Sequence, residues 1–105
     1  AWLVAAVIRV LQGSATVAMI TAAGLVAPLV ESAAHPEPFA ALVTIAIASG
    51  GTVASHVNDS GFWLVGKFLG LSVGDTLRTW TVQETIIGVL GLVFVVVIAA
   101  ATGVL

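Results

Sequence analysis

The sequence predicts an all-α membrane protein in which broken or re-entrant helical segments accompany one uninterrupted transmembrane helix. Three observations point there. Of 105 residues, 60% are hydrophobic and 8% charged, and the mean hydropathy is +1.22. A soluble domain carries about a quarter charged residues, so this chain would expose more apolar area than water tolerates. Second, Thr85 to Leu105 holds no charge, and its length matches the roughly 20 helical residues that cross a hydrocarbon layer about 30 Å thick. Third, the other two apolar stretches are interrupted at their centres by glycine, hydroxyl and ionisable residues. Unwound backbone at membrane depth survives only where it lines protein or an aqueous cavity.

Residues 1–30 form the first segment. An apolar arm ends Val7-Ile8-Arg9-Val10-Leu11, the polar run Gln12-Gly13-Ser14-Ala15-Thr16 follows, and a second apolar arm reaches Val30. This pattern fits either a kinked span or a re-entrant hairpin with the polar run at its tip. Residues 31–38, Glu31-Ser32-Ala33-Ala34-His35-Pro36-Glu37-Pro38, read as a loop, because two prolines and two acids cannot continue a lipid-facing helix. His35 there is expected to be solvated. In residues 39–71, a straight helix from Phe39 to Gly66 would be about 42 Å long, longer than the layer it crosses. The run from Ser49-Gly50-Gly51-Thr52 to Asn58-Asp59-Ser60-Gly61 predicts a break in that helix, since each glycine costs about 1 kcal/mol relative to alanine in a helix interior.

Residues 72–81 read as a connector, with Ser72-Val73-Gly74-Asp75 capping a short surface helix. Thr81-Val82-Gln83-Glu84 has the form of a capping box, which starts the last helix near Val82 and carries it over 82–105. The connection from Lys67 to Glu84 carries Lys67 and Arg78 while the 31–38 loop has no Lys or Arg. Positive charge concentrates on the cytoplasmic side, so the connector is expected inside and Leu105 outside, with Trp63 and Trp80 in an interfacial aromatic belt. The chain begins Ala1-Trp2-Leu3, with no methionine, basic stretch or cleavage site of a signal peptide, and reads as a fragment of a longer protein.

Composition excludes several functions. A net charge of -2 with three Lys+Arg leaves no basic footprint for nucleic acid. Without cysteine there is no disulfide, thiolate metal site or thiol nucleophile. No stretch matches a phosphate loop or dinucleotide fingerprint, and Ser, His and Asp lack a nucleophile elbow. No enzyme activity, metal or cofactor is expected.

The candidate site residues lie in the two interruptions. A charged group at the bilayer centre costs about 2.5 to 3.5 kcal/mol on insertion scales, so Asp59 reads either as a proton-exchanging carboxylate or as the cap of the helix from Ser60 to Leu71. His56 could relay protons or meet a substrate hydroxyl, its ordinary pKa being near 6.5; a hydrogen bond to a neighbouring helix is the alternative. Arg9 could hold an anionic carboxylate with its planar fork, or snorkel or pair elsewhere. Gln12, Gly13, Ser14 and Thr16 offer an amide, hydroxyls and helix-start N–H groups, which favour an anion; the alternative is a small-residue packing face. Gly88 and Gly91 read as packing positions only.

Arg9-Val10-Leu11-Gln12-Gly13-Ser14-Ala15-Thr16-Val17-Ala18, Ser55-His56-Val57-Asn58-Asp59-Ser60-Gly61-Phe62-Trp63 and Thr79-Trp80-Thr81-Val82-Gln83-Glu84-Thr85, in this order and spacing, resemble the carboxy-terminal part of the gluconate permease family of proton symporters. The resemblance covers nearly the whole chain. It implies a multi-pass inner-membrane carrier, several times longer, that imports gluconate or a related sugar acid with protons on an inverted-repeat plan. On that plan Gln12 to Thr16 is a hairpin tip entering from outside and Ser49 to Asp59 the break in the next helix. The sugar-acid carboxylate would then meet Gln12, Gly13, Ser14 and Thr16 with Arg9 as countercharge. Ser55, His56 and Asn58 would meet its hydroxyls, and Asp59, with His56, would handle the proton. The implied partners are substrate, protons, lipid and the remainder of the transporter chain. The alternatives are a small helical membrane subunit or scaffold, which should tolerate Ser14→Ala and Asn58→Ala, and an oligomeric channel, for which no ring of polar groups is visible.

Overall fold

The computed structural model describes residues 1–32, 35 and 37–104, and among them the regular structure is entirely helical. Helix α1 (Trp2–Gln12) ends at Gly13, whose φ of 85° is left-handed and whose N–H bonds back to the Arg9 carbonyl. Helix α2 (Ala15–Ser32) starts one residue later. Ser14 caps it, its Oγ accepting from the Val17 N–H at 3.3 Å. The two helices pack against each other as a helical hairpin. Ala5 and Ala22, both fully buried, pack with Ile47 of helix α3 (Glu37–Gly50), and Val4, Ile8, Met19, Val26 and Val43 surround them. Alanine at the centre brings the backbones close, the usual way helices associate where burial from water gives little drive.

The expected loop of residues 31–38 is shorter than the sequence suggests. Glu31 and Ser32 stay in α2 and Glu37 begins α3, with Pro38 in its first turn, where a missing N–H costs nothing. The part of that reading on Ala33, Ala34 and Pro36 lies outside the described residues, as does the end at Leu105; His35 is exposed and its ring lies 3.9 Å from that of Phe39.

Helix α3 stops at Gly50, and no regular helix forms until α4 (Ser60–Leu69). The left-handed Gly70 ends α4, and the Ser72 side chain accepts from Asp75 N–H to open α5 (Val73–Thr76), as its sequence suggested. The rest of the connector differs. A π-helical turn (Leu77–Thr81) runs straight into helix α6 (Val82–Ala101), so Val73 to Ala101 is one continuous helix. Thr81 has helical dihedrals and no capping bond. The capping box therefore does not form, because a helix that has already begun leaves no orphan donors at Val82.

Helix α6 lies on α3. An ideal Cβ on Gly88 would come within 2.6 Å of the Ser49 carbonyl oxygen, and one on Gly91 would overlap Ser49 Cβ, so both are the close-packing positions their spacing implied. The Trp2 indole N–H donates to the Gly88 carbonyl at 2.9 Å, tying α1 to α6. Two helices, Ala15–Ser32 and Val73–Ala101, are long and apolar enough to cross a membrane, and only 11% and 17% of their apolar windows are buried. That exposure is unlike the core helix of a soluble globule.

Candidate functional site

The two polar interruptions meet. A Cβ on Gly13 would overlap the Asn58 carbonyl, so glycine alone lets the hairpin turn abut the α3–α4 break while holding its left-handed φ. Asn58 Nδ2 donates to the Val10 carbonyl at 2.9 Å across the same junction.

At its centre is an ion pair. Arg9 is 2% exposed; its Nη2 lies 2.6 Å from Asp59 Oδ2, and its Nη1 donates to the Gly13 carbonyl at 2.5 Å. Its Nε is a buried donor with no partner among the described residues. Arg9 sits in the last turn of α1 and Asp59 is the N-cap of α4. Each charge thus faces the helix end of opposite partial charge, which favours both. Of the two readings of Asp59, the structure realises the cap. Oδ1 accepts the Gly61 N–H at 3.0 Å as a cap, while Oδ2 takes Arg9 and the Ser55 hydroxyl.

Ser55, expected to meet substrate hydroxyls, is instead fully buried. Its hydroxyl donates to Asp59 and accepts from the Trp80 indole N–H at 2.8 Å, and its carbonyl accepts from the Thr81 hydroxyl at 2.5 Å. Ala54 holds a φ of 53°, rare for a residue with a Cβ; its N–H donates to Thr85 Oγ1 at 3.2 Å. His56 Nδ1 donates to the Ala54 carbonyl at 2.7 Å, which fixes the ring with Nε2 as its other polar atom. Gln12 Nε2 donates to the Ser14 carbonyl at 2.6 Å, and Gln12 and Thr16 lie exposed at the hairpin tip. Arg9, Gly13, Ser55, Asn58 and Asp59 are therefore assembled at one junction, with Gln12, Ser14 and Thr16 along its hairpin side.

Sequence reasoning missed the contribution of the π-turn and the start of α6. Trp80, read as a belt residue, finds an internal acceptor; Thr81 and Thr85 brace the Ala54–Ser55 backbone. Glu84, half-buried, lies within electrostatic range of both Arg9 and Asp59. The available signal was spacing: positions 80, 81, 84 and 85 form one helical face, a polar stripe on an otherwise apolar helix.

The arrangement can hold an anion beside a titratable carboxylate. The Arg9 guanidinium and the N-terminus of α4 meet at Asp59, whose carboxylate neutralises them.

No solved structure matches the chain. The family described as GntP family permease matches residues 1–101. The chain is 52% identical over 99 residues to the Gnt-II system L-idonate transporter of Escherichia coli strain K12, covering 94% of this chain and 22% of that protein. It is 50% identical to the gluconate permease of Pseudomonas aeruginosa and 48% identical to that of Bacillus subtilis, again over 94% of this chain and 22% and 21% of those proteins. It thus spans about a fifth of the length of these curated relatives. With the family matched along nearly its whole length, the chain belongs to the GntP permease family.

Proposed function

We propose that this chain forms one side of the binding site of a multi-pass inner-membrane carrier that imports gluconate or a related sugar acid together with protons. The observation that carries the reading is the buried Arg9–Asp59 pair at 2.6 Å where the two interruptions meet. While Asp59 is ionised it holds Arg9 Nη2. Protonation loosens that contact, and Nη2 together with the unpartnered Nε can then take a sugar-acid carboxylate bidentately. Asn58, His56 and the exposed Gln12 and Thr16 supply polar contacts for the hydroxylated chain, and the α2 start at Gly13 and Ser14 adds its partial positive charge.

Proton and anion consequently bind as a couple. Each raises the affinity of the other by the same factor, typically about 5- to 150-fold. In the membrane, α3 and α4 act as two halves of a discontinuous helix and α1–α2 as a re-entrant hairpin. This half of an inverted-repeat plan matches the helix-end chemistry of carriers that bind at mid-membrane.

The test is uptake by a complete transporter carrying this segment. Asp59→Asn, which keeps the cap and the shape, should give sugar-acid affinity that no longer changes between acidic and neutral pH and uptake that a proton gradient no longer drives. Arg9→Lys should weaken binding at least about tenfold, because an ammonium cannot reproduce the planar fork. Gradient-driven uptake by Asp59→Asn with the original pH dependence would overturn the proposal.

A further inference from the structure

Three donors converge on Asp59: Arg9 from α1, the Gly61 N–H of its own helix and the Ser55 hydroxyl. The first two cannot change role, since a guanidinium and an amide N–H only donate. The Ser55 hydroxyl is different. It has one hydrogen and rotates, so it can donate to a carboxylate or accept from a protonated carboxyl. What fixes its direction is Trp80. The indole N–H of Trp80 donates to Ser55 Oγ at 2.8 Å and is itself donor-only. Ser55 Oγ must therefore receive on that side and direct its single hydrogen to Asp59 Oδ2.

We propose that Trp80 is a positioning residue for the proton-carrying carboxylate: by locking the Ser55 hydroxyl as a donor, it sets the proton concentration at which Asp59 is neutralised and Arg9 released. The π-turn is what brings it there. Adding a residue to one helical turn rotates the residues before it relative to those after, and here Trp80 Nε1 and Thr81 Oγ1 reach the hydroxyl and the carbonyl of the same serine. Among the described residues, the charged and titratable groups around Asp59 are Arg9 from α1, in contact with it, and Glu84 from α6, within electrostatic range, with His56 three residues before it held on Ala54. Replacing the Trp80 N–H alters none of them.

This inference rests on the reading of Asp59 as the coupling group. The experiment is the pH dependence of proton-driven gluconate uptake by a complete transporter carrying the segment. Trp80→Phe keeps an aromatic ring and removes the donor. With the serine free to accept, half-maximal uptake should need about threefold to tenfold fewer protons, the scale of one ordinary net hydrogen bond. Ser55→Ala should move the profile the same way, and Trp80→Phe should add nothing in the Ser55→Ala background, because the indole acts through that hydroxyl. A Trp80→Phe profile superimposing on the parent's, in a variant that transports at the parent's maximal rate, would overturn the inference alone. So would an equal further shift in the Ser55→Ala background. Unchanged coupling in Asp59→Asn would instead remove the reading beneath it. If Trp80→Phe fails to accumulate in the membrane, Trp80→His, whose ring can retain an N–H donor, should accumulate and keep a profile closer to the parent's; a His profile shifted as far as that of Ser55→Ala would count against the inference.

Discussion

Arg9 and Asp59 form the one contact on which both the docking of α1 and the proposed coupling rest. Two charges with side-chain exposures of 2% and 13% incur a desolvation penalty that their attraction and extra hydrogen bonds must offset. Removing one leaves the other buried and uncompensated, at about 3–5 kcal/mol. Arg9→Ala and Asp59→Ala should each lower the thermal stability of a detergent-solubilised complete transporter sharply. The joint Arg9→Met, Asp59→Leu replacement should recover most of that loss, short of the roughly 0.5–2 kcal/mol of the lost α4 cap, while uptake stays abolished. Thermal melts together with uptake read the two effects separately, and a double variant no more stable than the singles would show that the pair is not what docks the hairpin on the break. The chain placed Arg9 and Asp59 among its candidate residues because each is an ionisable group in an apolar context. It did not reveal that they pair. Fifty positions separate them, and only the docking of α1 on the α3–α4 break brings them together.

At the scale of elements, the ends of α1 and α3 were legible because glycine and polar residues concentrate there, where helix propensity fails locally, whereas the sequence left open whether residues 1–30 turn back or run on. The continuous run from α5 into α6 was not legible. Thr81-Val82-Gln83-Glu84 has the residues of a helix start, but tertiary bonds from Thr81 to Ser55 and from Thr85 to Ala54 hold that turn inside a helix already under way. A π-turn is likewise set by register and not by residue type. Contacts between helices give the sharper expectation here. A Cβ on Gly88 would meet Val53 Cγ2 at 2.5 Å and the Ser49 carbonyl at 2.6 Å, whereas one on Gly74 meets nothing nearer than Ser72 Oγ at 3.9 Å. A carbonyl in α3 cannot swing aside as a side chain can. Gly88→Ala should therefore destabilise by about 1–3 kcal/mol, the usual cost of overpacking, and Gly74→Ala by less than about 0.5 kcal/mol, as at most surface positions. Thermal melts of the two variants side by side check this; equal melting temperatures would mean that α6 does not pack on α3 through Gly88.

As a whole the chain is a slab of 49 × 26 × 17 Å with 6171 Å² of accessible surface, against about 5,500 Å² for a compact monomer of its mass. Much of the excess is apolar: Ile20, Leu25 and Leu29 on α2 and Phe94 and Val97 on α6 are all more than half exposed. Helix α6 alone spans about 30 Å at 1.5 Å per residue, the thickness of a hydrocarbon layer. Such a slab needs lipid or further helices on its faces, and the relatives it matches are about four times as long. The polar junction bears this out chemically. Its donors come from one hairpin and one interrupted helix, and Gln12, Thr16 and Asn58 lie exposed beside it, so a sugar acid bound there would be contacted from one side. Burial from both sides is what gives a small polar ligand orientation and affinity. Expressed alone, the segment should therefore insert into membranes yet show no gluconate uptake above background. Co-expression with the remaining part of a family transporter, as a separate chain, should restore uptake, and Asp59→Asn in the segment should again remove its dependence on the proton gradient. Gradient-driven uptake by the segment by itself would show that one hairpin and one interrupted helix suffice, and that the second side of the site is not required.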